Sequence, residues 1–188
     1  MFEEKINGIK IKKRDKSMEE TGSPLFFNDS WNLYFHDPDN SNWDIHSYIL
    51  IATITTMEEW IQVYQQVKES WSKGMFFLMR EHIQPIWEDD HNRQGGCLSF
   101  KLWKNEVPTH WFELGSKALG ETLLKTVEDW ATVCGVSISP KRNYCIARIW
   151  VSDQMHGDID QYDLMVPNYS KLMFKSHVDN IEQDQQLH

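Results

Sequence analysis

Two tryptophans stand in segments whose composition predicts loops, and one of them precedes a carboxylate. Trp43 follows the run HDPDNSN, and Trp87 lies in PIWEDD, inside a long polar segment (81–96) that ends in two glycines. A loop tryptophan is more often a partly buried anchor than a surface for a ligand. Glu88 favours the interpretation of Trp87 as a ligand-binding surface, because a carboxylate can accept hydrogen bonds from both adjacent donors on the Watson–Crick edge of guanine. An indole face also attracts cationic rings, so this pair suits a guanine made cationic by methylation.

The segments around these residues predict a single α+β domain. Thr55 and Thr56 precede Glu58 and Glu59 at capping-box spacing, and apolar residues at three- and four-residue steps follow, which predicts a helix that begins near Met57. Strands joined by hairpins and interrupted by helices favour a mostly antiparallel sheet with helices on one face. Further helices are predicted over 109–119 and 121–130. Strands are predicted over 31–35, 48–54, 75–79, 97–103, 133–139, 144–151 and 171–175.

Composition limits the classes of protein that the chain can represent. Its 188 residues, 40% hydrophobic and 25% charged, are typical of one globular domain. Apolar runs of membrane-spanning or signal-peptide length are absent, so we expect a cytoplasmic protein that does not enter membranes. Three scattered cysteines fit reduced thiols in that compartment. The net charge of −9 argues against a protein that coats DNA or RNA non-specifically.

Two ends of the chain and most of the tryptophans have simpler interpretations. We expect residues 1–22 to form a flexible tail, residues 23–179 to form the domain, and residues 180–188 to form a mobile C-terminal tail. Nine tryptophans exceed what a domain of this size usually needs. Six of them fall on predicted strand or helix faces and are interpreted as core residues: Trp31, Trp60, Trp71, Trp103, Trp111 and Trp130.

The run IQPIWEDDHNRQGGCLSFKL (83–102) resembles the signature of the eukaryotic translation initiation factor 4E family, which binds the mRNA cap. Its specific part is PxWED, five residues and then Gly-Gly. Other segments agree in order: SPL, WNLYF, TMEEWIQVY, THWFELGSKALGE, VCGVSI, IARIW and KSHVD. The resemblance covers about residues 23–179. It implies a curved sheet with helices packed on its convex face and a cap-binding slot on its concave face.

The resemblance also implies a role for each residue of the slot. Trp43 and Trp87 would sandwich the 7-methylguanine, while Glu88 would accept hydrogen bonds from its ring nitrogen and exocyclic amine. Trp150, in IARIW, would lie against the methyl group.

Phosphate binding departs from the family pattern. The turn after VCGVSIS supplies Lys141 and Arg142 for the triphosphate, but Ile146 stands where the family has a phosphate-binding lysine. Arg148 is two residues further along the same predicted strand, hence on the same face, and is interpreted as its substitute. Cys97 stands where the family usually has a basic residue.

The resemblance implies a second surface on the helical back of the domain, where a scaffold or regulator protein docks a helix. This chain departs from the family there: Ile61 replaces a tryptophan and Ser116 replaces an aliphatic residue. A partner helix that reads apolar anchors would lose binding energy on such a surface. The residues assigned to this back surface are Pro24, Leu25, Met57, Ile61 and Ser116.

Together these observations predict a monomer that binds 5′-capped mRNA, without catalysis, metal or cofactor, and recruits it to the translation initiation machinery. A cap-binding repressor of translation is an alternative. A second alternative is a metal-dependent hydrolase that cuts the cap or another nucleotide. The reason is that Asp89, Asp90 and His91 follow Glu88, and these four residues could form a metal site. Adjacent loop carboxylates are usually solvated, and the chain lacks the ExxEE helix of decapping hydrolases. An adaptor that has lost cap binding is a third, disfavoured by the presence of the slot residues.

Overall fold

The computed structural model describes residues 3–6, 9–12 and 23–185. The strands are β1 (Glu3–Ile6), β2 (Ile9–Lys12), β3 (Phe26–His36), β4 (Ile49–Thr56), β5 (Met75–Arg80), β6 (Gly96–Trp103), β7 (Val133–Pro140), β8 (Tyr144–Val151) and β9 (Met173–Ser176). In this part of the chain seven strands form one antiparallel sheet, in the order β4-β3-β5-β7-β8-β6-β9, and the two short strands β1 and β2 form a separate hairpin. The predicted α+β class with a curved antiparallel sheet is confirmed.

Two helices, α1 (Met57–Val67) and α2 (Val107–Leu119), pack on one face of the sheet. The predicted capping box is present at the start of α1. The Thr56 hydroxyl accepts from the Glu59 amide at 3.2 Å, and the Glu59 carboxylate accepts from the Thr56 amide at 3.2 Å. Both orphan amides at this end are thereby satisfied, which fixes where the strand β4 stops and the helix begins.

The core lies between the sheet and these two helices, and strand alternation decides which residues enter it. On β6, Leu98, Phe100 and Leu102 are buried in the core, whereas the odd-numbered residues point to the opposite face. We call that opposite face the slot face. A smaller cluster of buried residues lies on it: Phe77, Met79, Ile83, Cys97, Cys134 and Trp150.

A third helix, α3 (His177–Gln185), follows β9 and does not join α1 and α2. Its first residue, His177, packs against Trp150 on the slot face, with ring centroids 4.8 Å apart. The expected packing of helices on the convex face is seen for α1 and α2, and α3 is a further helix that the sequence did not predict. It extends beyond Asp179, the expected end of the domain, to Gln185.

The segment after Gly120 is not the predicted helix 121–130. Glu121 adopts a left-handed backbone conformation (φ 56°), and a 3-10 turn follows at Val127–Thr132. The Arg80 guanidinium lies between the rings of Trp31 and Trp130, 4.7 Å from each centroid. These cation–π contacts hold the turn against the sheet, so that tertiary packing overrides the helical pattern. Trp130 is accordingly half-buried and not a core residue.

The N-terminal part also differs from the predicted flexible tail, since β1 and β2 pair as an antiparallel hairpin. Strand β2 lies against α1, the helix that carries Met57 and Ile61. The remaining residues of the predicted tails, 1–2, 7–8, 13–22 and 186–188, lie outside the described residues. No helix of the described chain is long and apolar enough to span a membrane.

Candidate functional site

A cleft of about 490 Å³ opens on the slot face. It brings together six residues that the sequence assigned to ligand binding: Trp43, Trp87, Glu88, Lys141, Arg148 and Trp150. These come from two loops, one turn and one strand, so the sheet is what places them side by side. We call this cleft the slot. Its other lining residues are Tyr48, Met75, Phe77, Pro85, Ile86, Cys97, Ser99, Ser139, Lys175 and Asn180.

One wall of the slot is Trp43, whose side chain is 52% exposed. Its indole stacks on the buried ring of His36, with centroids 4.4 Å apart and 4° between the planes. The His36 Nε2 lies 2.8 Å from the carbonyl oxygen of Asn42, which ties the end of β3 to the loop. The Asn42 side chain in turn accepts from the Asp44 amide at 2.9 Å. One indole face is covered by His36, and the exposed surface of Trp43 borders the slot.

The opposite loop displays Trp87, which is 37% exposed, and the exposed carboxylate of Glu88. Two buried or half-buried polar residues hold this loop in shape. Asp89 accepts from the amides of Gln84 and His91 at 3.0 and 2.9 Å. Asn92, which is fully buried, donates to the carbonyls of residues 84 and 86 at 2.8 Å each. The loop is therefore a preorganised platform for its tryptophan and carboxylate.

The glycines that end this loop are required by close packing. A Cβ at Gly95 would lie 1.7 Å from the carbonyl oxygen of Val151, and one at Gly96 would lie 2.5 Å from that of Lys175. The pair lets β6 run tightly between β8 and β9. This explains why Gly-Gly follows the tryptophan loop in physical terms.

Tyr48 also lines the slot, and the sequence did not indicate it. Burial, with a further contribution from the Glu88 carboxylate, raises the pKa of Tyr48 above its ordinary value. Tyr48 also packs against His36 and Phe77, with centroids 4.7 and 5.2 Å apart. Tyr48 is therefore a neutral phenol near neutral pH, in the same slot as the Glu88 carboxylate.

The floor of the slot is Trp150, which is buried and donates from Nε1 to the Ser137 hydroxyl at 2.9 Å. His177 covers its other side and lies 3.5 Å from the Cys97 sulfur. Burial, with a smaller contribution from Arg148, lowers the pKa of His177 to about 4. Burial raises the pKa of Cys97 above its ordinary value. The floor is therefore uncharged near neutral pH and does not offer a reactive thiolate.

Cations occupy one side of the slot. Arg148 donates to the Ser139 hydroxyl at 3.0 Å and, among the described residues, has no carboxylate within salt-bridge distance. Burial lowers its pKa from the ordinary value. Lys141 lies at the turn, and Lys175 enters from β9, directly opposite Cys97. Arg142, which the resemblance also assigns to the triphosphate, is exposed in the same turn, outside the cleft lining.

The acidic run after Trp87 does not form a metal site. Asp89 uses its carboxylate within the loop, and Asp90, 90% exposed, lies 3.4 Å from Arg93. No group of three or more His, Cys, Asp or Glu side chains in the described ranges could hold a metal ion. The geometry consequently gives the hydrolase interpretation no support.

The back-surface residues lie on and beside α1 and α2. The Met57 amide donates to the carbonyl of Leu25 at 3.0 Å, and the Ser116 hydroxyl accepts from Trp60 Nε1 at 2.9 Å. Leu25 is 66% exposed and Ile61 39% exposed. Met57, Pro24 and Ser116 are half-buried. The sequence thus located one surface with exposed apolar side chains.

Comparisons with known proteins find one family and one fold. The family model described as eukaryotic initiation factor 4E matches residues 26–188. The chain is 26% identical to eukaryotic translation initiation factor 4E of Xenopus laevis over 163 residues, covering 83% of this chain and 73% of that protein.

Two solved structures share the fold. A Schistosome eIF4E complexed with m7GpppG and 4E-BP is 22% identical with a TM-score of 0.63, covering 71% of this chain and 75% of the other. A complex of C. elegans eIF4E-3 with the 4E-binding protein Mextli and cap analog is 18% identical with a TM-score of 0.71, covering 85% and 96%.

Proposed function

Because this chain belongs to the eukaryotic initiation factor 4E family, we propose that its slot binds the 7-methylguanosine 5′ cap of messenger RNA. Members of this family bind the cap in translation initiation and are not enzymes. The relatives with known structure include one complexed with m7GpppG and one with a cap analog. In this proposal the guanine lies between Trp43 and Trp87, and Trp150 contacts the methyl group.

The observation that carries the proposal is the placement of two exposed tryptophans and a carboxylate at one cleft. Stacking contributes about 1–3 kcal/mol per aromatic contact. The positive charge of the methylated ring adds about 2 kcal/mol when the ring is desolvated. Hydrogen bonds to the charged Glu88 add roughly 1.5–3 kcal/mol. These contributions favour micromolar or tighter binding and discriminate against unmethylated guanine.

In this proposal Arg148, Lys141 and Lys175 line the slot and bind the triphosphate bridge, and Arg142 adds positive charge in the same turn as Lys141. A largely buried guanidinium without a carboxylate partner is costly in the empty protein, because its desolvation is not offset by an opposite charge. A phosphate bound in the slot would supply that charge. Lys175 comes from β9 at the position opposite Cys97. It therefore compensates for the basic residue that the family usually has at Cys97.

A fluorescence titration tests the proposal. We expect 7-methyl-GTP to quench the tryptophan fluorescence, and GTP to bind at least tenfold more weakly because its ring is uncharged. Glu88→Gln should weaken 7-methyl-GTP binding by about 1.5–3 kcal/mol, since an amide donor then faces a guanine donor. Equal affinity for the two nucleotides would contradict the proposal.

The back surface, where the chain carries exposed Leu25 and Ile61, is proposed to dock a helix of a scaffold or regulator protein. The two solved relatives described above are complexed with 4E-BP or the 4E-binding protein Mextli. Such a partner decides whether capped mRNA is recruited to the initiation machinery or withheld from it. We place this activity in the cytoplasm and assign it to a monomer.

A further inference from the structure

Strand β6 continues past the slot as an exposed aromatic and basic surface. Cys97, Ser99, Lys101 and Trp103 share the slot face of this strand, because side chains alternate along it. The first two line the slot. The indole of Trp103 is 37% exposed, so the interpretation of this tryptophan as a core residue was wrong.

Strand β8 follows the same path in unbroken register. Trp150 is opposite Cys97 at the slot, and Tyr144 is opposite Trp103 at the far end. Arg148 lies between Trp150 and Tyr144 on the same face of β8. Along β6, Cys97 and Trp103 are six residue steps apart, which corresponds to about 20 Å.

The side chains at the far end form one cluster: Lys101, Trp103, Tyr144 and Tyr169. The Lys101 ammonium lies 3.8 Å from the ring centroid of Trp103 and 4.5 Å from that of Tyr144. The ring of Tyr169 lies 5.4 Å from that of Trp103 and is 43% exposed. We call these four residues the Trp103 cluster.

The cluster is held in place by polar contacts of its own. The Tyr169 hydroxyl accepts from the Trp103 amide at 3.2 Å and donates to the Glu106 carboxylate. Glu106 is therefore engaged by a phenol and is not paired with Lys101. The ammonium of Lys101 contacts ring faces, which attract it weakly enough for a phosphate to compete.

We infer that the Trp103 cluster binds the ribonucleotides that follow the cap on the same RNA. A base stacks on the exposed aromatic surface of Trp103 and Tyr169, and Lys101 pairs with a phosphate. This inference rests on the proposed function of the slot. Stacking on aromatic rings tolerates any base, so the cluster is a sequence-independent extension of the cap site.

Continuity with the slot favours RNA over other occupants. Arg148, the buried cation of the slot, lies on the side of Trp150 that faces Tyr144 along β8. A triphosphate bound to Arg148 therefore extends from the guanine towards the Trp103 cluster. Charge agrees with this path, because Lys101 adds a positive group despite the net charge of −9.

The test compares the full chain with two variants, Trp103→Ala and Lys101→Ala, in titrations against 7-methyl-GTP and against a capped pentaribonucleotide. For the wild type we expect the added nucleotides to raise affinity about tenfold, as one base stack and one phosphate contact would do. Trp103→Ala should abolish most of that gain and leave 7-methyl-GTP affinity within twofold. Lys101→Ala should lower the affinity for the capped pentaribonucleotide and make that affinity less dependent on salt.

Two controls separate stacking and charge from general damage. Trp103→Phe keeps an aromatic face and should retain most of the gain. Lys104→Ala removes one positive charge from the turn after β6, outside the cluster, and should bind both ligands as the wild type does.

Failure of this inference is distinguishable from failure of the proposed function. Absence of 7-methyl-GTP binding by the wild type would contradict cap binding itself. Normal 7-methyl-GTP binding with no gain from added nucleotides, or a gain that Trp103→Ala preserves, would overturn the inference alone. Loss of both affinities in Trp103→Ala would also overturn it, because the residue would then support the slot. Self-association that disappears in Trp103→Ala, with RNA affinity unchanged, would assign the cluster to a contact between copies.

Discussion

The rings of His36 and Trp43 lie parallel, 4.4 Å apart, with the histidine buried and the indole half exposed. A flat ring behind the tryptophan fixes the plane on which a ligand stacks, and such aromatic pairs contribute about 0.5–1.5 kcal/mol beyond their buried area. The His36 Nε2 contact with the Asn42 carbonyl adds a tether to the loop. His36 is thus a positioning residue for the outer wall of the slot.

We expect His36→Ala to weaken 7-methyl-GTP binding by roughly fivefold, because Trp43 loses the ring that orients it. His36→Phe keeps the ring and should bind within twofold of the wild type. Fluorescence titration measures both. If the phenylalanine variant loses as much affinity as the alanine variant, the tether to Asn42 and not the stacked ring is what matters.

The loop that displays Trp87 gives a second prediction. Asp89→Ala removes the acceptor for the amides of Gln84 and His91, so those donors lose their partner and the loop loses its shape. We expect 7-methyl-GTP affinity to fall about tenfold, although Asp89 does not line the slot. Titration by fluorescence is the measurement.

Asp90→Ala is the matched control, because it removes the same charge from the next residue. The Asp90 side chain is 90% exposed and contacts only Arg93, at 3.4 Å, among the described residues. The affinity of this variant for 7-methyl-GTP should equal that of the wild type. Equal losses in the two variants would mean that the charge of the acidic run, and not the fold of the loop, supports binding.

Local patterns were sufficient to predict much of this fold. The capping box at Thr56, the alternation along β6 and the loop composition around Trp43 each depend on neighbouring residues, and the structure has all three. Alternation gives Trp103 the parity of Cys97 and hence the slot face, so the interpretation of Trp103 as a core residue did not follow this pattern.

Residues that reach the slot through tertiary pairing could not be predicted in this way. Lys175 enters because β9 pairs with the outer edge of β6, opposite Cys97, and no local pattern shows that register. His177 and Asn180 follow on α3, a helix that the sequence did not predict, and Asn180 lies in the segment expected to be a mobile tail. Of the two turn cations, Lys141 lines the slot, while Arg142 is exposed beside it.

The buried His177 predicts a dependence of stability on pH. Its pKa in the folded protein is about 4, below the ordinary 6.5, so the folded chain binds fewer protons than the unfolded chain between these values. The free energy of unfolding should therefore fall as pH decreases from 6.5 towards 4. This residue contributes about 3 kcal/mol of that loss. Urea unfolding at several pH values measures it.

His177→Asn should flatten the fall of stability between pH 6.5 and 4. His46→Asn is the control, because the His46 side chain is 92% exposed, and this variant should follow the wild type. A wild-type slope in the His177 variant would show that other groups, such as carboxylates, cause the acid sensitivity.

The last prediction concerns Arg148, which is largely buried, donates to the Ser139 hydroxyl and has no described carboxylate partner. Arg148→Ala should lower the affinity for 7-methyl-GTP about tenfold, since charge-assisted hydrogen bonds contribute roughly 1.5–3 kcal/mol. Affinity for the nucleoside 7-methylguanosine should not change, because it lacks phosphates. Lys104→Ala removes an equal charge from the turn after β6, outside the slot, and should bind both ligands normally. Without ligand, Arg148→Ala should be at least as stable as the wild type, because a buried unpaired charge is removed. Lower stability, with equal losses for nucleotide and nucleoside, would instead show that Arg148 supports the fold.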